Sequence, residues 1–201
     1  MITSSKIINE IIESRYGLYK TFFPETKYNF NFKKVKYFKK FETVILIGMG
    51  GSILGTKAIY SFLEHKIKKK FIFLDNLDEK YLLKIKKEIN LKKALFMIVS
   101  KSGNTNETII NSSFFKSFFK KKNVIIVSEE RNNILFNFSK NKDFYFVRHH
   151  PNIGGRYSVF SDVGMLPAYL MGLEPRNFKK NIPKLLNSKK LLSENIKKLL
   201  K

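Results

Sequence analysis

The sequence predicts a doubly wound α/β fold on a five-stranded parallel sheet, and two observations carry that prediction. Five short apolar runs, at 43–47, 71–74, 94–99, 123–127 and 144–147, recur at intervals that leave room for one helix between each pair. They are continuously apolar rather than alternating, the pattern of strands covered on both faces and hence of a parallel sheet. The intervening segments have helical spacing. Over 105–120, for example, Ile110, Phe114 and Phe118 fall four apart with Phe115 and Phe119 beside them, giving one broad apolar face. Strand, helix and strand in series define βαβ units and therefore this fold class.

Residues 1–42 read as an N-terminal helical or irregular extension, with Pro24 marking a break. Residues 43–172 form the α/β domain, and 173–201 read as one or two basic amphipathic helices leading out of it. In a sheet of order 2-1-3-4-5 the binding crevice opens between the C-terminal ends of strands one and three. The loops that follow those two strands should therefore face each other.

The composition narrows the class. A chain of 201 residues suits one sizeable α/β core. It has no cysteine, so disulfides and thiolate metal sites are not available. No apolar run reaches membrane-spanning length and the first ten residues lack a signal-peptide layout, so a cytoplasmic protein without a membrane partner is expected. The net charge of +23, from 39 Lys and Arg against 16 Asp and Glu, would alone suggest nucleic acid. The lysines are instead spread along nearly every segment, beside many Asn, Ile and Phe, as AT-rich coding would produce. The runs 66–70 and 120–122 read as the closing turns of helices, where cations suit the dipole. No nucleic-acid partner is expected.

Two loops carry the chemistry. Gly48-Met49-Gly50-Gly51-Ser52-Ile53-Leu54-Gly55 follows strand one, and a glycine-rich turn entering a helix offers bare N–H groups and a positive dipole end to an anion. Ser100-Lys101-Ser102-Gly103-Asn104-Thr105-Asn106-Glu107-Thr108 follows strand three and crowds hydroxyls and a lysine together. Two such loops suggest one phosphate cradle. Asn104 and Glu107 also have capping-box spacing, which would make the hydroxyls simple helix caps, and both roles can coexist. A P-loop is excluded because Gly55 is followed by Thr56 and then Lys57, the wrong order. A dinucleotide fingerprint would need Gly or Ala where Ile53 stands, although Asp75 ends strand two where a ribose-binding acid belongs, which keeps a nicotinamide enzyme as a minor alternative.

A third motif, Gly154-Gly155-Arg156-Tyr157-Ser158-Val159-Phe160-Ser161, follows strand five, with Val163-Gly164 shortly after. With Gly-Gly-Ser-x-Leu-Gly and Ser-Lys-Ser-Gly-x-Thr-x-Glu-Thr before it, the chain resembles the glucose-6-phosphate isomerase family, built from two flavodoxin-like sugar-isomerase (SIS) domains. The resemblance covers about 43–172 and includes Asn76-Leu77-Asp78 after strand two. It implies an aldose–ketose isomerase that interconverts glucose 6-phosphate and fructose 6-phosphate through a cis-enediol, with no metal or cofactor, as a cytoplasmic homodimer.

By matching position, the resemblance implies that Gly51, Ser52, Ser100, Ser102 and Thr105 surround the phosphate. Lys101 would add its backbone amide and its charge. Arg156 matches the arginine that holds a permanent cation near C1 and C2 and would stabilise the developing oxyanion; its structural alternative is a salt bridge pinning the loop before a helix over 158–171. Glu107 matches a glutamate that orients a ring-opening histidine. His65, His149 and His150 fall on no catalytic position and read as loop or surface residues. In the family, the glutamate base, the ring-opening histidine and a late lysine all lie downstream of the match. The resemblance thus implies an N-terminal half, inactive alone, exposing apolar surface and prone to self-association. A non-catalytic sugar-phosphate-binding module is the alternative, and a basic protein binding nucleic acid is a third.

Overall fold

The computed structural model describes residues 17–188 continuously, together with Lys6, Asn9, Glu10, Glu13 and Glu194. The chain divides into two compact units, Tyr28–Leu173 and a second made of Met1–Lys27 with Glu174–Lys201. In the second unit the described elements are α1 (Gly17–Lys20), a 3-10 turn at Pro175–Phe178 and α8 (Ile182–Asn187). Pro24 lies in the turns that follow α1. The rest of the expected C-terminal helices lies outside the described residues.

The larger unit holds the α/β sheet and begins at Tyr28, so residues 28–42, read from the sequence as part of an extension, belong to it. After α2 (Phe32–Lys36), the strands β1 (Thr43–Gly48), β2 (Lys70–Leu74), β3 (Ala94–Val99), β4 (Val124–Ser128) and β5 (Tyr145–Arg148) form one sheet of order β2-β1-β3-β4-β5. Every pairing is parallel. All six residues of β3 and all five of β4 are buried, whereas β2 and β5 each expose an end, as central and edge strands should. The connecting helices are α3 (Leu54–Leu63), α4 (Glu79–Glu88), α5 (Asn106–Phe114) and α6 (Ile134–Lys142), with α7 (Asp162–Leu170) after β5. In register, Gly48 at the end of β1 sits beside Val99 at the end of β3, so the two polar loops leave adjacent strands at one level.

Three helical expectations are corrected. The helix over 105–120 stops at Phe114, because Phe115 turns out of helical geometry and buries its ring against Phe96, 5.8 Å between centroids. Its buried face is not the apolar one read from the spacing: Thr108, Asn111 and Ser112 point inward, Phe114 and Phe118 are only partly buried, and Ile110 is exposed. The helix over 158–171 begins only at Asp162, after a 3-10 turn at Gly155–Tyr157, since Ser158 and Ser161 spend their hydroxyls on Gly155 and Ser158 carbonyls and Ser161 caps α7. Finally, the lysines at 120–122 do not close a helix but form the turn entering β4, and Lys70 opens β2.

Asp162 latches α7 to the segment before α2. Its Oδ1 accepts the amides of Asn29 (2.6 Å) and Phe30 (3.1 Å), and Oδ2 accepts Asn29 Nδ2 at 3.1 Å. These donors favour the carboxylate, yet burial outweighs them and raises the group from 3.8 to about 6. Unfolded, the same carboxyl titrates near 4, so the folded state binds more protons between about pH 4 and 6 and loses stability as pH rises through that window, by roughly 3 kcal/mol in all. Asp162→Asn keeps the oxygen that takes both amides but cannot titrate. In denaturant titrations the stability of the wild type relative to Asp162→Asn should fall from pH 4 to pH 7; parallel curves would contradict the latch's assigned proton.

Candidate functional site

The residues singled out in the three motifs converge at the C-terminal end of the sheet. After β1, Met49 stays extended, Gly50 takes φ of +50°, and Gly50–Ser52 form a 3-10 turn into α3. Gly51 lies directly against the third motif. A Cβ on it would sit 2.2 Å from the Gly155 carbonyl carbon and 2.6 Å from the Arg156 nitrogen, so only glycine allows the two loops to touch. Ser158 ties the contact from below, its hydroxyl within 2.6 Å of the Gly155 carbonyl and 3.2 Å of the Gly51 carbonyl.

The second loop gathers three hydroxyls. Ser100 Oγ lies 2.8 Å from Thr105 Oγ1, and Ser102 Oγ is 3.4 Å from each. Ser100 is buried, and its Oγ also accepts the amide of Gly103 at 3.2 Å. Gly103 holds the turn at φ of +68°, and a Cβ there would strike Asn133 Oδ1 at 1.9 Å. Asn133 is itself buried, capping α6 through Phe136 N while its Nδ2 donates to Glu129 O.

The helix N-termini at this end of the sheet differ among themselves. Asp78, Asn133 and Ser161 accept first-turn amides of α4, α6 and α7. The helices that follow the two polar loops, α3 and α5, have Ile53 and Thr105 at the cap position and no side-chain cap bond. Their first-turn N–H groups are left for another acceptor, and an anion is the acceptor such a terminus favours. The expected capping box does not form: Asn104 Oδ1 instead accepts the Ile134 amide of α6, at 2.9 Å. Glu107, half-buried in the first turn of α5, is not drawn into it.

The charged candidates divide. Lys101 turns its ammonium away, to Pro151 O at 2.6 Å and Glu129 at 3.6 Å, and Arg131 takes the other oxygen of that carboxylate at 2.8 Å. Of the two contributions expected of Lys101, the charge is committed elsewhere and the amide remains. Arg156 is exposed and forms no ion pair among the described residues, which removes the salt-bridge reading of it. Asp75, the acid that kept a nicotinamide enzyme open, is held by Lys57 at 2.7 Å. His65 is exposed as expected, but His149 is buried. Its Nδ1 faces the His150 carbonyl at 3.0 Å, and desolvation lowers its pKa, with nearby Lys101 adding in the same direction, so it is held neutral.

The phosphoglucose isomerase family matches residues 23–192. The chain belongs to that family. It is 35% identical over 155 residues to the glucose-6-phosphate isomerase of Methanocaldococcus jannaschii, covering 76% of this chain and 38% of that protein. To the glucose-6-phosphate isomerase of Borreliella afzelii it is 33% identical over 220 residues, covering 98% of this chain and 41% of the other. The crystal structure of a glucose-6-phosphate isomerase from Chlamydia trachomatis superposes with a TM-score of 0.60 at 28% identity, over 70% of this chain and 29% of that one. The chain thus spans about two fifths of the length of the curated relatives it matches.

Sequence reasoning missed the supports of these loops. Ser158 was read only as part of a motif and Asn133 not at all, although each fixes a glycine turn. The available signal was weak: an Asn before an apolar helix, and a Ser three residues after a Gly, are common for capping alone. The Gly51–Gly155 contact gives a direct check. Gly51→Ala should lower stability by about 1–3 kcal/mol through overpacking, whereas Gly50→Ala, which meets nothing within 4 Å, suffers only the strain of its positive φ. Thermal unfolding in which Gly51→Ala is no worse than Gly50→Ala would refute the contact.

Proposed function

We propose that this chain provides the phosphate-binding and oxyanion-stabilising part of an aldose–ketose isomerase acting on glucose 6-phosphate and fructose 6-phosphate. The observation that carries the proposal is the meeting of three elements at one sheet end: a hydroxyl cluster, two helix N-termini without side-chain caps, and an unpaired arginine beside the glycine contact.

In this reading the phosphate accepts hydrogen bonds from Ser100, Ser102 and Thr105 and from amides of the Lys101–Thr105 turn and the first turn of α5. Gly51 and Ser52 close it from the side of α3. The dianion gains from both dipoles without a lysine ammonium in contact. Arg156 extends toward the other end of the open-chain sugar. Isomerisation moves a proton between C1 and C2 while negative charge grows on oxygen, and a guanidinium charged at every working pH stabilises that oxygen without competing for the proton. Glu107 acts as a positioning residue for the ring-opening group. Proton transfer itself needs a base within hydrogen-bond reach of C1 and C2, and no carboxylate of these loops is assigned to it. The chain by itself is therefore expected to bind without turning over. Among the described residues no helix is long and apolar enough to cross a membrane.

Calorimetric titration with 6-phosphogluconate, an open-chain sugar acid, separates the roles. Binding should exceed that of inorganic phosphate and of NAD. Ser100→Ala removes a hydrogen bond to a charged group and should weaken both phosphate ligands about tenfold or more. Arg156→Ala should weaken 6-phosphogluconate by a similar factor but leave inorganic phosphate nearly unchanged. Equal affinity for all three ligands, or an Arg156→Ala effect on inorganic phosphate as large as on the sugar acid, would overturn the assignment.

A further inference from the structure

The opposite end of the sheet holds a second polar cleft that the isomerase reading does not use. It lies where β1, β2, β3 and β4 begin and is an open hollow of about 750 Å³, within the range of small-molecule sites. Lys70, Lys92, Lys93, Lys120 and Lys122 line it, from three different segments of the chain, and Lys40 joins them from a fourth. Among the described residues none of these six is in an ion pair. Lysines lining one cleft without ion-pair partners leave it with a positive potential, which favours an anion there.

The walls are fixed rather than loose. Asn123 is buried and holds the Lys120–Lys122 turn by three bonds: its Oδ1 accepts Lys120 N at 2.7 Å, and its Nδ2 donates to Ala94 O and Phe118 O, each at 3.2 Å. On the facing side Lys69 Nζ donates to the carbonyls of Lys39 and Phe41, pinning the segment that carries Tyr37 and Phe41. Desolvation lowers the pKa of Lys69 for the same reason, the ammonium being partly enclosed by that segment. Tyr37 is 42% exposed and lines the cleft with Phe41. Lys40 Nζ rests 3.8 Å from the Tyr37 ring centroid and 5.4 Å from that of Phe41, so both rings present a face to a cation and can do so to a planar ring. Two carboxylates, Glu42 and Glu88, also line the cleft and suit hydroxyl donors rather than phosphate.

From this combination we infer that the cleft binds a nucleoside di- or triphosphate: phosphates among the lysines of the β2, β3 and β4 entrances, the base on Tyr37 and Phe41, and ribose hydroxyls toward Glu42 or Glu88. An inorganic polyphosphate would use the lysines but not the rings. A nucleic-acid strand would use the lysines with no preference for a nucleotide's own length. The site is independent of the sugar-phosphate loops.

The test is calorimetric titration of the 201-residue chain with ATP, inorganic triphosphate and a random-sequence RNA oligonucleotide, at two salt concentrations. The variants are Lys92→Glu with Lys93→Glu, Tyr37→Leu, and a charge-matched control at the other end of the sheet, Lys80→Glu with Arg148→Glu. We expect ATP to bind with one-to-one stoichiometry. The cleft reversal should weaken ATP and triphosphate by more than tenfold, while the control changes either by less than threefold after screening by salt. Tyr37→Leu should weaken ATP about fivefold and leave triphosphate unchanged, given what stacking contributes. Any of four results would overturn the inference: no saturable ATP binding, equal losses in cleft and control variants, equal effects of Tyr37→Leu on ATP and triphosphate, or RNA binding tighter than ATP with the same variant dependence.

Discussion

The close approach of the Gly51 backbone to Gly155 and Arg156 is the constraint on which the rest of the site depends. Three loops emerge from β1, β3 and β5, and parallel pairing alone sets only the first two side by side, since β5 lies two strands beyond β3. The third is brought in because two glycines lack the atoms that would hold it off, and because Ser158 bridges both carbonyls. Arg156 owes its place beside the α3 entrance to that contact. The same sparing of side chains recurs at Gly103, whose missing Cβ leaves room for the Asn133 amide.

Charge is distributed according to position in the sheet. At the C-terminal end of the sheet Lys57 is paired with Asp75 and Lys101 with Glu129, so the proposed cradle relies on hydroxyls, amides and helix dipoles. Such dipolar donors are fixed before the ligand arrives, so little reorganisation accompanies binding. At the opposite end the lysines are unpaired and gathered into a cleft. The high net charge, evenly spread in sequence, is therefore uneven in space. Apolar surface is uneven as well: Leu54 and Phe62, two helical turns apart on α3, are 56% and 82% exposed, whereas α7 is buried almost throughout.

Much of the fold was legible in the sequence because continuous apolar runs have one economical solution, a covered parallel sheet. The strand limits fell within a residue of those read from 43–47, 71–74, 94–99, 123–127 and 144–147, and the strand order is the 2-1-3-4-5 taken for the fold class. The helices were less legible. Over 105–120 the apolar residues Ile110, Phe114 and Phe118 repeat every four positions, yet in α5 Thr108, Asn111 and Ser112 take the inner face, with Asn111 Nδ2 reaching the Asn76 carbonyl at 3.0 Å. Spacing identifies a face, and tertiary partners decide which face is buried. The capping box failed for a similar reason: Asn104 found a nearer amide at the start of α6, a neighbour no local rule contains. His149 looked like a loop residue because its burial comes from contacts formed only once β5 has joined the sheet.

The most direct test of the central claim, that three loops form one phosphosugar cradle, is a map of backbone amide shifts by NMR during titration with 6-phosphogluconate. Gly51 and Ser52, Lys101 to Thr105, the first turn of α5, and Gly155 with Arg156 should shift together and saturate along a single binding curve. Shifts confined to one loop, or scattered over the lysine-rich surface with no common saturation, would contradict it.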